Sequence, residues 1–320
     1  MNSHYNKIFF QGSHKSNIKE YFEGWYFKNV NSTSSYTISI IAGVSYNKVD
    51  PHCFIQFISC DEKNNHFTQY FRYPLSMFEF DSSPFQIKIG KCVFTESSIS
   101  LSLENMKLKV KGTLTYSKLT YLKKTPFTPN IMGFFSYIPK LECNHHIISM
   151  EHKIHGSLFI NDKNINFDNG IGYMEKDWGS SFPSEYIWIQ CNNFVDPTIK
   201  LALSVAKIPF LGFSFRGFFC SLFIDQKEYR FATYNRSKVI IDKANEKYTS
   251  ISFKKGFLSL DVLAEIDKVQ SLSSPKNGIM NQSIKEGLSA SISILFRDLK
   301  SDLEIVSSGQ NAGAEIMMRV

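Results

Sequence analysis

Apolar and polar residues alternate with a period of two along most of this chain. In Tyr36–Tyr46 the residues Tyr36, Ile38, Ile40, Ala42 and Val44 fall on one side, with Thr37, Ser39 and Ser45 on the other. Successive side chains of a strand point to opposite faces, so the pattern predicts a pleated segment with two distinct faces. The same reading predicts strands at His52–Cys60, Phe67–Tyr73, Phe85–Ile89, Ser98–Leu103 and Lys107–Tyr116. Gly, Asn, Asp and Ser punctuate them at short intervals, as in an antiparallel barrel or sandwich. Long segments of helical period are nearly absent, and Asp261–Val269 is too short to decide.

Lys123–Asn144 breaks the alternation, with three prolines and a glycine among aromatics. It reads as an apolar linker and predicts an N-terminal β domain over 1–144, the linker 123–144 included, and a C-terminal one over 145–320. Strands are expected in the second part at His145–Ile160, Asn164–Tyr173, Tyr186–Asn192, Thr198–Ala206, Phe213–Ile224 and Glu228–Tyr234. Further ones are expected at Lys238–Ile241, Lys247–Phe253, Phe257–Leu263, Ser289–Arg297 and Leu303–Ser307, with Ser271–Ser283 as a surface loop.

Composition narrows the class. The 320 residues are 43% hydrophobic and 20% charged, which excludes a disordered chain. Aromatics make up 15%, with 29 Phe and 15 Tyr, and suit broad pleated surfaces. The net charge of +7 comes from scattered lysines such as Lys88, Lys107, Lys109, Lys111, Lys123 and Lys124. Without an Arg-rich block or nucleic-acid motif, nucleic acid is not an expected partner; scattered lysines suit a solvated surface or peripheral contact with anionic lipid headgroups. No run of 18 apolar residues occurs, and residues 1–14 lack the apolar core of a signal peptide. A cytoplasmic, optionally membrane-associated protein is expected. Cys53, Cys60, Cys92, Cys143, Cys191 and Cys220 show no CxxC spacing and read as reduced packing residues.

The chemistry-bearing residues sit in two places. One is YFEGWYFK at Tyr21–Lys28; the other is GYMEKDWGSSFP at Gly172–Pro183, followed by EYIWIQCNNF at Glu185–Phe194. Parity places Glu23 beside Trp25 and Phe27. A carboxylate on an interior-facing strand beside tryptophan would be desolvated and poised as a proton donor, unless a lysine or arginine pairs with it. Glu175 and Asp177 are two apart before Trp178-Gly179 and form a candidate acid pair; alternatively Asp177 caps the turn and Glu175 pairs with Lys153 or another cation. Trp188, Gln190 and Asn192 share one face of their strand, either lining a ligand cavity or buried as ordinary packing. His52, Gln56 and Glu315 complete the candidate substrate contacts. His145, His146, His152 and His155 alternate faces without an evident acidic or cysteine partner, so no metal site is expected.

These segments resemble the tocopherol cyclase family, whose hallmarks read much like EGWYF, EKNWGGGFP and WIQCN. The resemblance is strong at Glu23–Phe27, good from His146 to Asn192 and weak between Tyr73 and Asn130. This chain has Asp177 where plant members usually have Asn, and Gly179-Ser180-Ser181-Phe182-Pro183 for the glycine-rich turn. The tail NAGAEIMMRV resembles the family's last strand, with Glu315 at its acidic position, but lacks the glycine-rich ending of plant members. The resemblance implies an all-β fold of two lipocalin-like (calycin) antiparallel halves around an apolar cavity. It also implies cofactor-free closure of a chromanol ring on a prenylated hydroquinone or related isoprenoid. An acid among Glu175, Glu23 and Asp177 would protonate the alkene, and Trp25, Trp178 and Trp188 would approach one cavity around the cation. The alternative is a non-catalytic carrier of hydrophobic isoprenoid or quinone ligands.

Overall fold

The computed structural model describes residues 10–12, 20–138, 141–210 and 212–320; most of the N-terminal segment read above for an export signal lies outside them. The described chain is built from strands, with only three short 3-10 turns between them.

The first sheet takes β1 (Glu20–Val30), β2 (Thr37–Asn47), β3 (His52–Cys60), β4 (His66–Tyr73), β5 (Phe78–Ser82) and β6 (Phe85–Ile89). It continues with β7 (Cys92–Thr95), β8 (Ser98–Glu104), β9 (Lys109–Tyr116), β10 (Cys143–Ile160), β11 (Lys163–Asn166) and β12 (Gly170–Gly179). Its order is β4-β3-β2-β1-β12-β10-β9-β8-β7-β6-β5, with β11 on β10, and neighbouring strands run antiparallel. The second sheet takes β13 (Tyr186–Cys191), β14 (Lys200–Phe210), β15 (Phe213–Ile224), β16 (Lys227–Ala232) and β17 (Lys238–Asn245). After these come β18 (Tyr248–Lys255), β19 (Leu258–Glu265), β20 (Gln270–Lys276), β21 (Ile279–Asp298) and β22 (Leu303–Ile316). Its order is β16-β15-β14-β13-β22-β21-β19-β18-β17, with β20 on β21.

Each sheet wraps its own apolar core, because alternation gives each strand one apolar face to bury. In the first, Phe27 of β1 meets Phe94 of β7 at 5.5 Å between ring centroids, and Trp25 meets Phe85 of β6 at 6.0 Å. In the second, Phe253 of β18 meets Phe218 and Phe231 of β15 and β16, each at 6.0 Å.

The chain divides into two compact units, but not at a single break near residue 144. The first is Met1–Leu122, Glu142–Phe182 and Leu272–Ser283; the second is Lys123–Leu141, Pro183–Ser271 and Ile284–Val320. Residues 145–182 fall in the first unit because β12 inserts between β1 and β10. The expected loop at Ser271–Ser283 is instead a hairpin: Asn277 and Gly278 have φ of 51° and 75°, the left-handed pair a two-residue turn requires. The expected strand Asn164–Tyr173 splits into β11 and β12 around a turn at Asn169, where φ is 61°.

Candidate active site

β12 carries the chemistry of the first unit. It pairs Glu23 with Trp178, Trp25 with Lys176 and Tyr26 with Glu175 across β1, and His145 with Asp177 and His146 with Lys176 across β10. Directly opposed residues share a face. Met174, Lys176 and Trp178 therefore point with Glu23, Trp25 and Phe27 to the core side, and Tyr173, Glu175 and Asp177 to the other.

On the core side, Lys176 Nζ lies 2.5 Å from Glu23 Oε1, with both side chains fully buried. The ammonium also sits 5.1 Å from the Trp25 ring and 4.7 Å from the Trp178 ring. The Gln11 amide donates to both Glu23 oxygens at 2.8 and 3.0 Å, the Gly12 amide donates at 3.1 Å, and the Tyr21 hydroxyl donates through a short bond. Burial, then the charge of Glu23, holds the Tyr21 phenol well above its ordinary range, so it remains a donor. Glu23 is thus a saturated partner in a buried ion pair, not the poised acid expected. Parity placed it correctly beside Trp25; what parity could not show is that β12 delivers a lysine to the same face. Phe27 is a core residue, packed on Phe94 and on Tyr116 at 6.5 Å.

The opposite face holds a different cluster. The Tyr173 hydroxyl donates to Glu175 Oε2 at 2.5 Å, and His145 Nε2 lies 3.4 Å from the same oxygen. His145 Nδ1 lies 2.8 Å from Asp177 Oδ1, so the imidazole is hydrogen-bonded to Asp177 and stands within ion-pair range of Glu175. Glu175 is 4% exposed. Burial alone favours the neutral imidazole, but Asp177 and then Glu175 outweigh it and raise the pKa of His145 to about 9. The imidazolium is therefore the resting form near neutral pH. Burial, followed by the Glu175 charge, pushes the Tyr173 phenol well above its usual value. Glu175 therefore does meet a cation, His145 rather than Lys153, and takes the Tyr173 hydroxyl as well, while Asp177 grips His145.

His145, Glu175 and Asp177 each offer a ligand atom within 4.8 Å of the others, the donor types a divalent ion accepts. The acidic partners missing from the sequence neighbourhood of the histidines come from β12. The two imidazole nitrogens address different carboxylates, however, which is the arrangement of a held proton. The signal for Tyr173 was available, since it stands two residues before Glu175; the signal for His145 was not, because it depends on the β10–β12 register.

The remaining candidates fall in both units. His52 Nδ1 lies 2.8 Å from the Asp50 carbonyl and Nε2 2.6 Å from the Tyr70 hydroxyl, while burial lowers its pKa. Gln56 exchanges two 2.9 Å bonds with the backbone of Ser273. Trp25 and Trp178 meet over Lys176, whereas Trp188 belongs to the second unit. There, β13 sends Ile187, Ile189 and Cys191 into the core and Tyr186, Trp188 and Gln190 to the other face, both fully buried. Trp188 pairs with Glu315 and Glu315 with Glu286 across β22, and the Tyr186 hydroxyl donates to Glu315 at 2.6 Å. Asn192 is also buried. Glu286, wholly buried in this group, escaped the sequence reading.

The six cysteines are free and five are buried. Burial raises the thiols of Cys53 and Cys92 to about 11, which makes them poor nucleophiles.

Residues 104–237 match the family model described as tocopherol cyclase-like. That span contains His145, Tyr173, Glu175 and Asp177, and excludes Glu23, His52, Gln56 and Glu315. A probable chloroplastic tocopherol cyclase of Oryza sativa subsp. japonica is 42% identical over 40 residues, 12% of this chain and 8% of that protein. A chloroplastic tocopherol cyclase of Zea mays matches to the same extent. The match thus spans under a tenth of the plant proteins. Among solved structures, CghA with Sch210972 superposes with a TM-score of 0.64 at 9% identity, covering 94% of this chain and 89% of that one. A putative AttH from Nitrosomonas europaea gives 0.57 at 11%, covering 98% and 97%. Kievitone hydratase from Nectria haematococca gives 0.54 at 10%, covering 97% and 94%. At such identities these likenesses establish the fold: two lipocalin-like antiparallel β halves.

Proposed function

We propose that this chain, tocopherol cyclase-like across residues 104–237, is an acid catalyst that closes a ring on a prenylated hydroquinone or a related isoprenoid. The observation that carries the reading is the cluster inside the matched span, with Tyr173 and Glu175 buried and His145 and Asp177 partly exposed beside them. Ring closure of this kind requires a proton delivered to an alkene carbon and a proton recovered from a phenol, with no net oxidation. A histidine held protonated between two carboxylates is a reservoir for that cycle.

In the proposed sequence, the His145 Nε2 proton passes to Glu175 Oε2, leaving a neutral imidazole still bonded to Asp177 through Nδ1. Neutral Glu175 then protonates the alkene, and the resulting tertiary cation is captured by the phenol oxygen. The phenol proton returns to the Glu175 carboxylate and so recharges His145. Tyr173 orients Glu175 throughout. Tyr26, 6.5 Å from Tyr173 and paired with Glu175 across β1, is the aromatic best placed to attend the cation, a contribution of about 0.5–2 kcal/mol. Trp25 and Trp178 are not available for it, since their faces serve Lys176.

Incubation of the purified chain with prenylated hydroquinones of several tail lengths tests the reading. A product of unchanged mass and shifted retention supports cyclisation. A product heavier by one water replaces cyclisation with hydration. Tight binding without any product makes the protein a carrier.

A further inference from the structure

Two stretches of the second unit carry large aromatics and bases but no acid: residues 123–138 (KKTPFTPNIMGFFSYI) and 206–217 (AKIPFLGFSFRG). Ring contacts join them into one patch. Phe134 stacks on Phe135 at 4.5 Å, Phe135 on Phe215 at 5.8 Å, and Phe210 meets Phe215 at 6.4 Å and Phe213 at 5.9 Å. The first stretch is anchored by the Tyr234 hydroxyl, which donates to the Ile131 carbonyl at 2.9 Å, and Tyr137 donates to the Pro126 carbonyl at 2.8 Å. The aromatics are nevertheless solvent-facing: Phe127 is 80% exposed, Phe213 59%, Tyr137 55% and Phe134 47%. Isolated exposed apolar residues are ordinary, but a joined aromatic patch on a β hairpin tip marks a docking surface.

We propose that this patch seats the protein on an anionic lipid surface, with Phe210 and Phe213 of the β14–β15 hairpin entering the headgroup boundary. Its four cations, Lys123, Lys124, Lys207 and Arg216, are all exposed, and Lys207 also meets Glu185 at 2.7 Å. Exposed aromatic rings favour the boundary between water and acyl chain, and nearby bases favour anionic headgroups. A second copy of the chain fits poorly, because a self-complementary contact would face these acid-free basic segments with each other. Of the scattered lysines expected from sequence to suit a solvated surface or lipid contact, Lys123 and Lys124 belong to these stretches, whereas Lys88, Lys107 and Lys109 belong to the first unit. The inference stands apart from the proposed reaction, since vesicle binding is read without turnover.

The test is co-sedimentation of the full chain with vesicles of phosphatidylcholine alone and of phosphatidylcholine with phosphatidylglycerol. Binding is expected only, or at least about tenfold more strongly, with the anionic lipid, and to weaken as salt is added. The double variants Phe134→Ser/Phe213→Ser and Lys123→Gln/Arg216→Gln should each lose about tenfold or more while keeping the parent thermal midpoint within a few degrees. Absence of binding to both vesicle types, or undiminished binding by both folded variants, overturns the proposal. So does a concentration-dependent dimer in sedimentation equilibrium that Phe134→Ser/Phe213→Ser dissolves. If the cyclisation assay fails while vesicles still bind, only the proposed reaction is lost.

Discussion

Lys176 and Glu175 are neighbours in sequence, yet they face opposite sides of one sheet and do unrelated work. Lys176 closes a buried ion pair with Glu23 between two tryptophan rings. Removing one member of such a pair strands the other charge, at a cost of about 3–5 kcal/mol, whereas replacing both with apolar residues costs less. Denaturant unfolding should therefore rank Glu23→Gln as more damaging than the double change Glu23→Leu/Lys176→Met. Equal losses, or a single-mutant loss below about 1 kcal/mol, would show the pair to be incidental. On the other face, His145 has its pKa raised to about 9, above its unfolded value near 6.5. A group raised on folding contributes stability that is complete below the unfolded value and lost as pH climbs through the folded one. Stability should fall between about pH 6.5 and 9 by on the order of 1–3 kcal/mol, and His145→Gln should flatten that slope. An unchanged slope in the variant would place the proton elsewhere. Residue types and parity made the two carboxylates at Glu175 and Asp177 legible; the identity of each partner was not, because it depends on cross-strand register.

At the level of elements, alternation makes most strands legible, since burial of one face dictates the period, but β21 begins well before the expected Ser289 and β22 runs well past the expected Ser307. The errors lie where turn chemistry or register decides. Asn277-Gly278 is a strong hairpin signal inside a stretch that otherwise looks like a polar loop. Its glycine holds φ at 75°, and a Cβ there would stand 2.4 Å from the Tyr21 amide nitrogen and 2.7 Å from the Tyr46 carbonyl. Gly278→Ala should destabilise the first unit by more than about 1 kcal/mol, from left-handed backbone strain plus this clash. A thermal midpoint equal to the parent's would contradict that geometry. The irregularities of β10 were invisible for another reason. Its bulges between Ile147 and His152 keep His146 and His152 on the core side while advancing the chain, and no local residue preference announces them. One consequence is the His152 ring lying over Gly172, its Nε2 2.1 Å from where a Cβ would sit, with burial lowering its pKa to about 3.

Across the whole molecule, the all-β class and the presence of two units were legible, and the route of the chain between them was not. The aromatic, proline-rich stretch has the composition of a linker, but the chain returns from it to the first unit to lay down β10 and β12 before building most of the second. That return creates the candidate site, since it brings Tyr173, Glu175 and Asp177 next to His145. The central claim is that this cluster delivers a proton, and the variant Glu175→Gln isolates it. Glutamine keeps the shape and the acceptor for Tyr173 but has no acidic proton. The decisive measurement is the single-turnover rate of ring closure for parent and variant on a prenylated hydroquinone that the parent converts, with the Kd of each determined on the same substrate. The account predicts a rate lower by about two to four orders of magnitude, the usual worth of a positioned general acid, with Kd changed less than about fivefold. A variant that cyclises at the parent rate would contradict it.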